Sequence, residues 1–144
     1  MGARHEGRVA AMQVLYQLDT TGDFEDVEGV VARFFSNFEE EQGQAVRDFA
    51  SELCAGVVEY LEPIDDALDA ASTRWRLSRM SRVDRSVLRL AAYEVLYCPE
   101  VPNRVVINEA LEVGKRFGSE DSRAFINGVL EGVRARAEGD PKSS

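Results

Sequence analysis

Apolar residues recur at three- and four-residue intervals along almost the whole chain, the spacing of amphipathic helices rather than of strands. Val9, Met12, Leu15, Tyr16 and Leu18 form the stripe of a first helix, and Gly22 in Thr20-Thr21-Gly22-Asp23 is placed to close it with a left-handed cap. A second helix, opened by Asp23 or Asp26, carries Val27, Val30, Val31, Phe34, Phe35 and Phe38, and Glu39-Glu40-Glu41-Gln42-Gly43 reads as a polar connection. The third runs from about Ala45 to Leu61 with Val46, Phe49, Leu53, Val57 and Tyr60 on one face. Pro63 suits the first turn of a fourth, striped by Ile64, Leu68 and Ala71. Ser81-Arg82-Val83-Asp84 has the spacing of a capping box and opens a fifth helix, to Tyr97, that is apolar on most sides, as a helix at the centre of a bundle must be. After Pro99 and Pro102, Asn103 caps a sixth from Arg104 to Phe117, and Ser119 or Ser122 opens the last, through Phe125, Ile126, Val129, Leu130 and Val133. The pattern predicts an all-α bundle of about seven helices over residues 1–137, with a polar tail from Glu138 to Ser144.

A chain of 144 residues is long enough to bury a core without disulfides or metal. Cys54 and Cys98 stand apart in apolar settings and read as free thiols of a reducing compartment. The N-terminus has no signal-peptide core and no apolar run is long enough for a membrane span, so the expected location is the cytoplasm.

The net charge of −9 argues against unaided binding to a polyanion. Its distribution changes that picture. Residues 19–69 hold fifteen acidic residues against two arginines, whereas residues 74–89 hold six arginines (Arg74, Arg76, Arg79, Arg82, Arg85, Arg89) against Asp84 alone. Such a chain suits an RNA binder helped by a basic partner.

Candidate catalytic chemistry is sparse. His5 is the only histidine, with no oriented nucleophile or base near it in sequence. Asp65-Asp66 and Glu120-Asp121 are read as helix N-terminal charges rather than metal ligands. No phosphate loop, zinc-protease or nucleophile-elbow pattern occurs, so neither an enzyme nor a cofactor is expected.

Two segments stand out for binding. In the arginine run, Trp75, Leu77 and Met80 either pack inside while the arginines pair with the acidic helices, or help to hold RNA by stacking and phosphate contact. Around Phe117-Gly118-Ser119-Glu120-Asp121-Ser122-Arg123-Ala124-Phe125, two aromatics flank a polar turn at a helix N-terminus, with Lys115, Arg116 and Arg123 beside it. That turn is an anion site or a stapled helix connection. Asn108 and Asn127 lie in apolar stretches and are expected to lock neighbouring backbone.

Four segments in order give the chain a family likeness. Ala11-Met12-Gln13-Val14-Leu15-Tyr16 resembles the A-x-Q-x-L-Y element of the NusB family. Val83 to Leu96 resembles its central helix. Val101-Pro102 with Val106-Ile107-Asn108-Glu109-Ala110 is similar to its V-P…INEA motif, and Phe125-Ile126-Asn127-Gly128-Val129-Leu130 to its F-N-G-V-L ending. The resemblance covers residues 8–133. It implies a helical antitermination factor that joins the ribosomal protein NusE, binds boxA RNA with it and enters RNA polymerase antitermination complexes on ribosomal RNA genes.

It further implies RNA contacts at Arg4, His5, Arg8, Lys115, Arg116, Phe117, Ser119, Asp121, Arg123 and Phe125, and partner contacts at Tyr16, Asp84 and Arg85. The arginine cluster of such proteins is thinned here to Arg4, His5 and Arg8 with Glu6 among them, which implies reliance on the partner. The alternatives are a helical protein–protein adaptor without RNA, a homodimer through Phe34, Phe35 and Phe38, and the similar domain of ribosomal RNA cytosine methyltransferases, which the length of 144 residues disfavours.

Overall fold

The computed structural model describes residues 2–36 and 40–139. Seven helices follow in order: α1 (Ala3–Thr21), α2 (Val27–Phe35), α3 (Glu40–Glu59), α4 (Leu61–Ala71), α5 (Arg82–Tyr97), α6 (Asn103–Phe117) and α7 (Ser122–Gly139). Short 3₁₀ turns at Phe24–Asp26 and Leu77–Arg79 precede α2 and α5, and no strand occurs among the described residues. None of these helices is long and apolar enough to cross a membrane.

Local chemistry explains most of the boundaries. Gly22 closes α1 at φ +77°, a left-handed conformation that costs glycine nothing, and its N–H reaches the Leu18 carbonyl. Ser81 opens α5 by accepting the Asp84 N–H at 3.1 Å. The box is only half formed, because no hydrogen bond reaches Asp84 Oδ1.

Other boundaries depart from the expected ones. The acidic connection is already helical from Glu40, so α3 starts about a turn early. Asn103 does not cap α6; Pro102 precedes the helix and the Asn103 amide donates to Glu138 at 3.0 Å. Asp26 does not cap α2 with its side chain but accepts from Arg33. The final helix runs through Glu138 to Gly139, and residues 140–144 of the expected tail lie outside the described residues. Phe35 is a core residue, edge-on to the half-buried Phe34, which removes it from the proposed dimer surface; Phe38 lies outside the described residues.

α5 occupies the middle and packs against α1, α3, α4, α6 and α7. Val87, Leu88, Leu90, Ala91 and Ala92 bury its apolar sides. Ala10 and Ala11 of α1 meet the face of α3 that carries Ala50 and Cys54, small side chains that let the two helices approach closely. Burial pushes the Cys54 thiol up to about 12.

Three charged groups of α5, Arg85, Arg89 and Glu94, are also drawn inward, each toward a partner on another helix. Asp19, near the end of α1, accepts from Arg85 at 2.6 Å and from Arg89 at 3.3 Å. Arg89 also grips Asp65 of α4 through two bonds of 2.9 and 3.0 Å. Arg85 Nη1 donates to the carbonyls of Leu77 and Met80, which ties the α4–α5 connection to the helix that follows it. Asp65 is therefore an ion-pair partner and not the helix N-terminal charge that its position suggested.

On the other side of α5, Arg8 of α1 donates through Nε to both oxygens of Glu94 at 3.1 Å, with only 7% and 2% of the two side chains exposed. Burial raises the Glu94 carboxyl above its ordinary range, while the hydrogen bond and charge of Arg8 pull it back.

Two outcomes are expected. Asp19→Ala leaves Arg85 and Arg89 without their shared carboxylate and costs about 3 kcal/mol in urea unfolding, the low end for a broken buried pair because Arg89 keeps Asp65; a loss within experimental error of zero contradicts the network. Arg8→Ala costs about 3–5 kcal/mol at neutral pH. A carboxyl raised by folding binds its proton more tightly in the native state, so its penalty is absent below the ordinary carboxylate range and grows as pH rises through it. Denaturant melts of Arg8→Ala therefore show a larger loss at about pH 8 than at about pH 5, and an equal loss at both contradicts the assignment.

Candidate nucleic-acid interface

The first turns of α1 sort their cations by depth. Arg4 is exposed, with its guanidinium 4.2 Å from the centre of the Phe49 ring. His5 is half-buried and its Nδ1 lies 2.8 Å from Glu109. Arg8, expected at the RNA surface, is instead buried on Glu94. A guanidinium already carrying a carboxylate in the interior is not offered to solvent. Of the expected basic cluster, Arg4 and His5 remain at the surface.

His5 shares a cleft of about 440 Å³ with Glu6, Val9, Gln13, Glu112 and Arg116, so the start of α1 and the end of α6 face one space. Lys115 and Arg116 are exposed in the last turn of α6, where cations also complement the helix dipole. Arg116 lies 4.7 Å over the ring of Phe117, which is itself half-buried and packed on the core.

The α6–α7 turn is tightly made. Gly118 ends α6 by donating to the Gly114 carbonyl, and a side chain at this position would collide with Ser122. The buried Ser122 hydroxyl accepts the Ser119 N–H at 2.9 Å, and the Asp121 carbonyl accepts from Phe125 N–H as α7 begins. Ser119, Asp121 and Arg123 stay exposed while Phe125 packs half-buried against the core. The aromatics thus staple the turn, the second of its two readings, and its polar residues face out.

The structure also brings in residues from elsewhere. Ser119, Asp121 and Phe125 line a groove of about 200 Å³ together with Arg74, Trp75 and Arg79 of the α4–α5 connection. Leu77 and Met80 are buried as expected, but Trp75 is 48% exposed, so its ring is not part of the core. The six arginines of the run separate accordingly. Arg85 and Arg89 are engaged inside, whereas Arg74, Arg76, Arg79 and Arg82 are exposed and form no ion pair among the described residues. The sequence signal for this groove was the interleaving of Trp75 with arginines, a pattern that does not reveal which residues face out.

On another face, Tyr16 of α1 is 38% exposed. Asp84, at the start of α5, also lines the Trp75 groove and is buried with Oδ1 lacking a donor, and Arg85 is half-buried in the Asp19 network. Asn108 and Asn127 are exposed and line a shallow groove between α6 and α7, which corrects the expectation that they lock backbone inside. No cluster of potential metal ligands occurs among the described residues.

Comparison with known proteins places this arrangement. Residues 5–135 match the model of the NusB family. The chain is 47% identical over 134 residues to the transcription antitermination protein NusB of Sorangium cellulosum, covering 92% of each. It superposes on NusB of T. maritima with a TM-score of 0.81 at 36% identity, covering 91% of this chain and 89% of that one. It also superposes on a chain in a crystal structure of the antitermination factors NusB and NusE in complex with dsRNA, with a TM-score of 0.77 at 25% identity over 93% and 97% of the two chains. A seven-helix bundle, a family model spanning nearly its whole length and near relatives of the same size agree: this chain belongs to the NusB family of transcription antitermination proteins.

Proposed function

We propose that this chain acts in transcription antitermination by binding boxA-type RNA as a heterodimer with ribosomal protein NusE, supporting ribosomal RNA synthesis within RNA polymerase antitermination complexes in the cytoplasm. One observation carries the reading. In a chain of net charge −9, Arg4, Lys115, Arg116 and Arg123 are exposed and without ion pairs among the described residues, around the start of α1 and the α6–α7 turn. Phe117 and Phe125 lie with them, and Ser119 and Asp121 offer polar edges to bases. The solved complex of the relatives NusB and NusE with RNA supports the same combination of partners.

His5 joins this surface through the cleft it shares with Arg116. Arg8 acts one step removed, since its bond to Glu94 anchors the turn of α1 that carries Arg4 and His5. The partner face is assigned to Tyr16 and Asp84. The exposed ring of Tyr16 and the negative charge of Asp84 suit a basic ribosomal protein. Arg85 positions that face through Asp19 and the carbonyls of the α4–α5 connection. We assign a binding role and no catalysis: His5 is held by Glu109, and Cys54 is a buried thiol held far from its nucleophilic form.

The test is a titration of labelled boxA-type RNA with this chain, with NusE, and with both. The mixture is expected to bind far more tightly than this chain alone, because the chain's net charge of −9 opposes a polyanion. Tight binding by the isolated chain contradicts the reliance on NusE. The double variant Arg116→Ala, Arg123→Ala is expected to lower the slope of log affinity against log salt by about 1.4 in the mixture, from about 0.7 per lost contact on a single strand. An adaptor without RNA contact keeps NusE binding and shows no RNA-dependent species at any salt.

A further inference from the structure

We infer that the α4–α5 connection is a second RNA-contacting element, in which Trp75 is a stacking platform for one unstacked base and Arg74 and Arg79 hold the adjoining phosphates. This rests on the RNA-binding function proposed above and adds residues outside the α1 and α6–α7 surface.

The ring of Trp75 is held outside by a pinned backbone. Ser72, at the end of α4, accepts the Trp75 N–H at 3.3 Å and donates to the Trp75 carbonyl at 2.5 Å, so the backbone is clamped from both sides. Asp69 accepts the Leu77 N–H at 2.7 Å, and Arg85 holds the Leu77 and Met80 carbonyls from α5. Leu77 and Met80 plug into the core. The connection is thus fixed to α4 on one side and to α5 on the other, and the largest aromatic of the chain is left on its outside. A side chain able to bury some 150–250 Å² is normally taken inward when the backbone permits. Here the pinned backbone keeps it out, with Arg74 5.8 Å from the ring centre as its one ring or cation partner among the described residues.

Acidic residues outnumber cations in this chain, and the inward-facing arginines each have a carboxylate. Arg74, Arg76, Arg79 and Arg82 do not, although Asp66, Asp69 and Asp84 lie within a few positions of them in sequence. Arg74 and Arg79, which share a groove with the exposed indole, combine phosphate neutralisation with a π face, the two ingredients of single-strand binding. An aliphatic partner would use the ring but not the charge, and an acidic protein segment would use the charge but not a stacking plane.

The groove that holds Arg74, Trp75 and Arg79 is also lined by Ser119, Asp121 and Phe125 of the α6–α7 turn. A strand lying along that turn therefore reaches the indole without crossing the acidic helices. Asp121 and the largely buried Asp84 line the same groove, so phosphates fall to Arg74 and Arg79 and base N–H donors to the carboxylates.

Trp75 is the single tryptophan of the chain, so its fluorescence reports on the contact directly. The experiment titrates the complex of this chain with NusE with a boxA-type single-stranded RNA. It follows indole emission and the anisotropy of labelled RNA together, with Trp75→Phe complex as the emission blank. Expected are saturable quenching that tracks RNA binding, and a Trp75→Ala complex that binds roughly 5- to 150-fold more weakly, the range for loss of one stacked base. Thermal melts of that variant should be unchanged, since the ring is outside the core. Arg74→Ala with Arg79→Ala should lower the salt slope by about 1.4. RNA binding at full affinity with unaltered emission overturns this inference and leaves the proposed function standing. Absence of RNA binding by the unsubstituted complex overturns both. Equal quenching by poly-glutamate of matched charge also overturns it and makes this surface a dock for an acidic protein segment.

Discussion

A guanidinium drawn into a helical bundle needs a carboxylate opposite it, and that requirement fixes how the helices of this protein sit around α5. Asp19 binds two arginines one helical turn apart on α5, Arg85 and Arg89, and so sets the rotation of α5 against α1. Arg89 extends the constraint to α4 through Asp65. Glu94, further along α5, meets Arg8 of α1 on a second side. A central helix whose faces were only apolar could slide or turn at modest cost. One that must align three buried charges cannot, because a misplaced guanidinium or carboxylate loses several kcal/mol.

Outside, several cations form no ion pair among the described residues although the chain is acidic, while Arg33 and Arg134 do pair with neighbouring carboxylates. Arg4, Lys115, Arg116, Arg123, Arg74 and Arg79 lie at the start of α1, around the α6–α7 turn and along the α4–α5 connection, and the last two places share a groove. The acidic α2 and α3 side stays apart from them in sequence and supplies repulsion toward any polyanion that approaches from there. The RNA surface proposed above lies on these cationic parts, and the proposed basic partner adds what they lack.

The helical period made all seven helices legible, and the Gly22 cap and the Ser81 cap were readable from residue type and position. The start of α3 was not, since a glutamate run reads as a connection whether or not it is helical. Arg8 was misread for a deeper reason. A basic residue in the second turn of a terminal helix has every local mark of a surface cation, and its burial depends on Glu94, 86 positions away. Asn108 and Asn127 show the converse, polar residues among apolar ones that mark the outward side of α6 and α7. Trp75 was ambiguous because its apolar neighbours Leu77 and Met80 do enter the core. A 3₁₀ turn, which hydrophobic spacing does not forecast, separates their direction from that of the indole. The α6–α7 turn was legible as a staple, since its aromatics pack on the core, while Ser119, Asp121 and Arg123 face out.

The division of arginines into interior and exterior sets is the claim on which fold and function both rest, and arginine reactivity measures it directly. Modification by phenylglyoxal, read by mass spectrometry for the folded chain and for its mixture with NusE and RNA, should leave Arg8, Arg85 and Arg89 unreacted in both. Arg74, Arg79, Arg116 and Arg123 should react in the free chain and be protected in the mixture. Ready modification of Arg8 or Arg89 in the folded chain, or unchanged reactivity of the outer arginines when RNA is bound, would contradict the account.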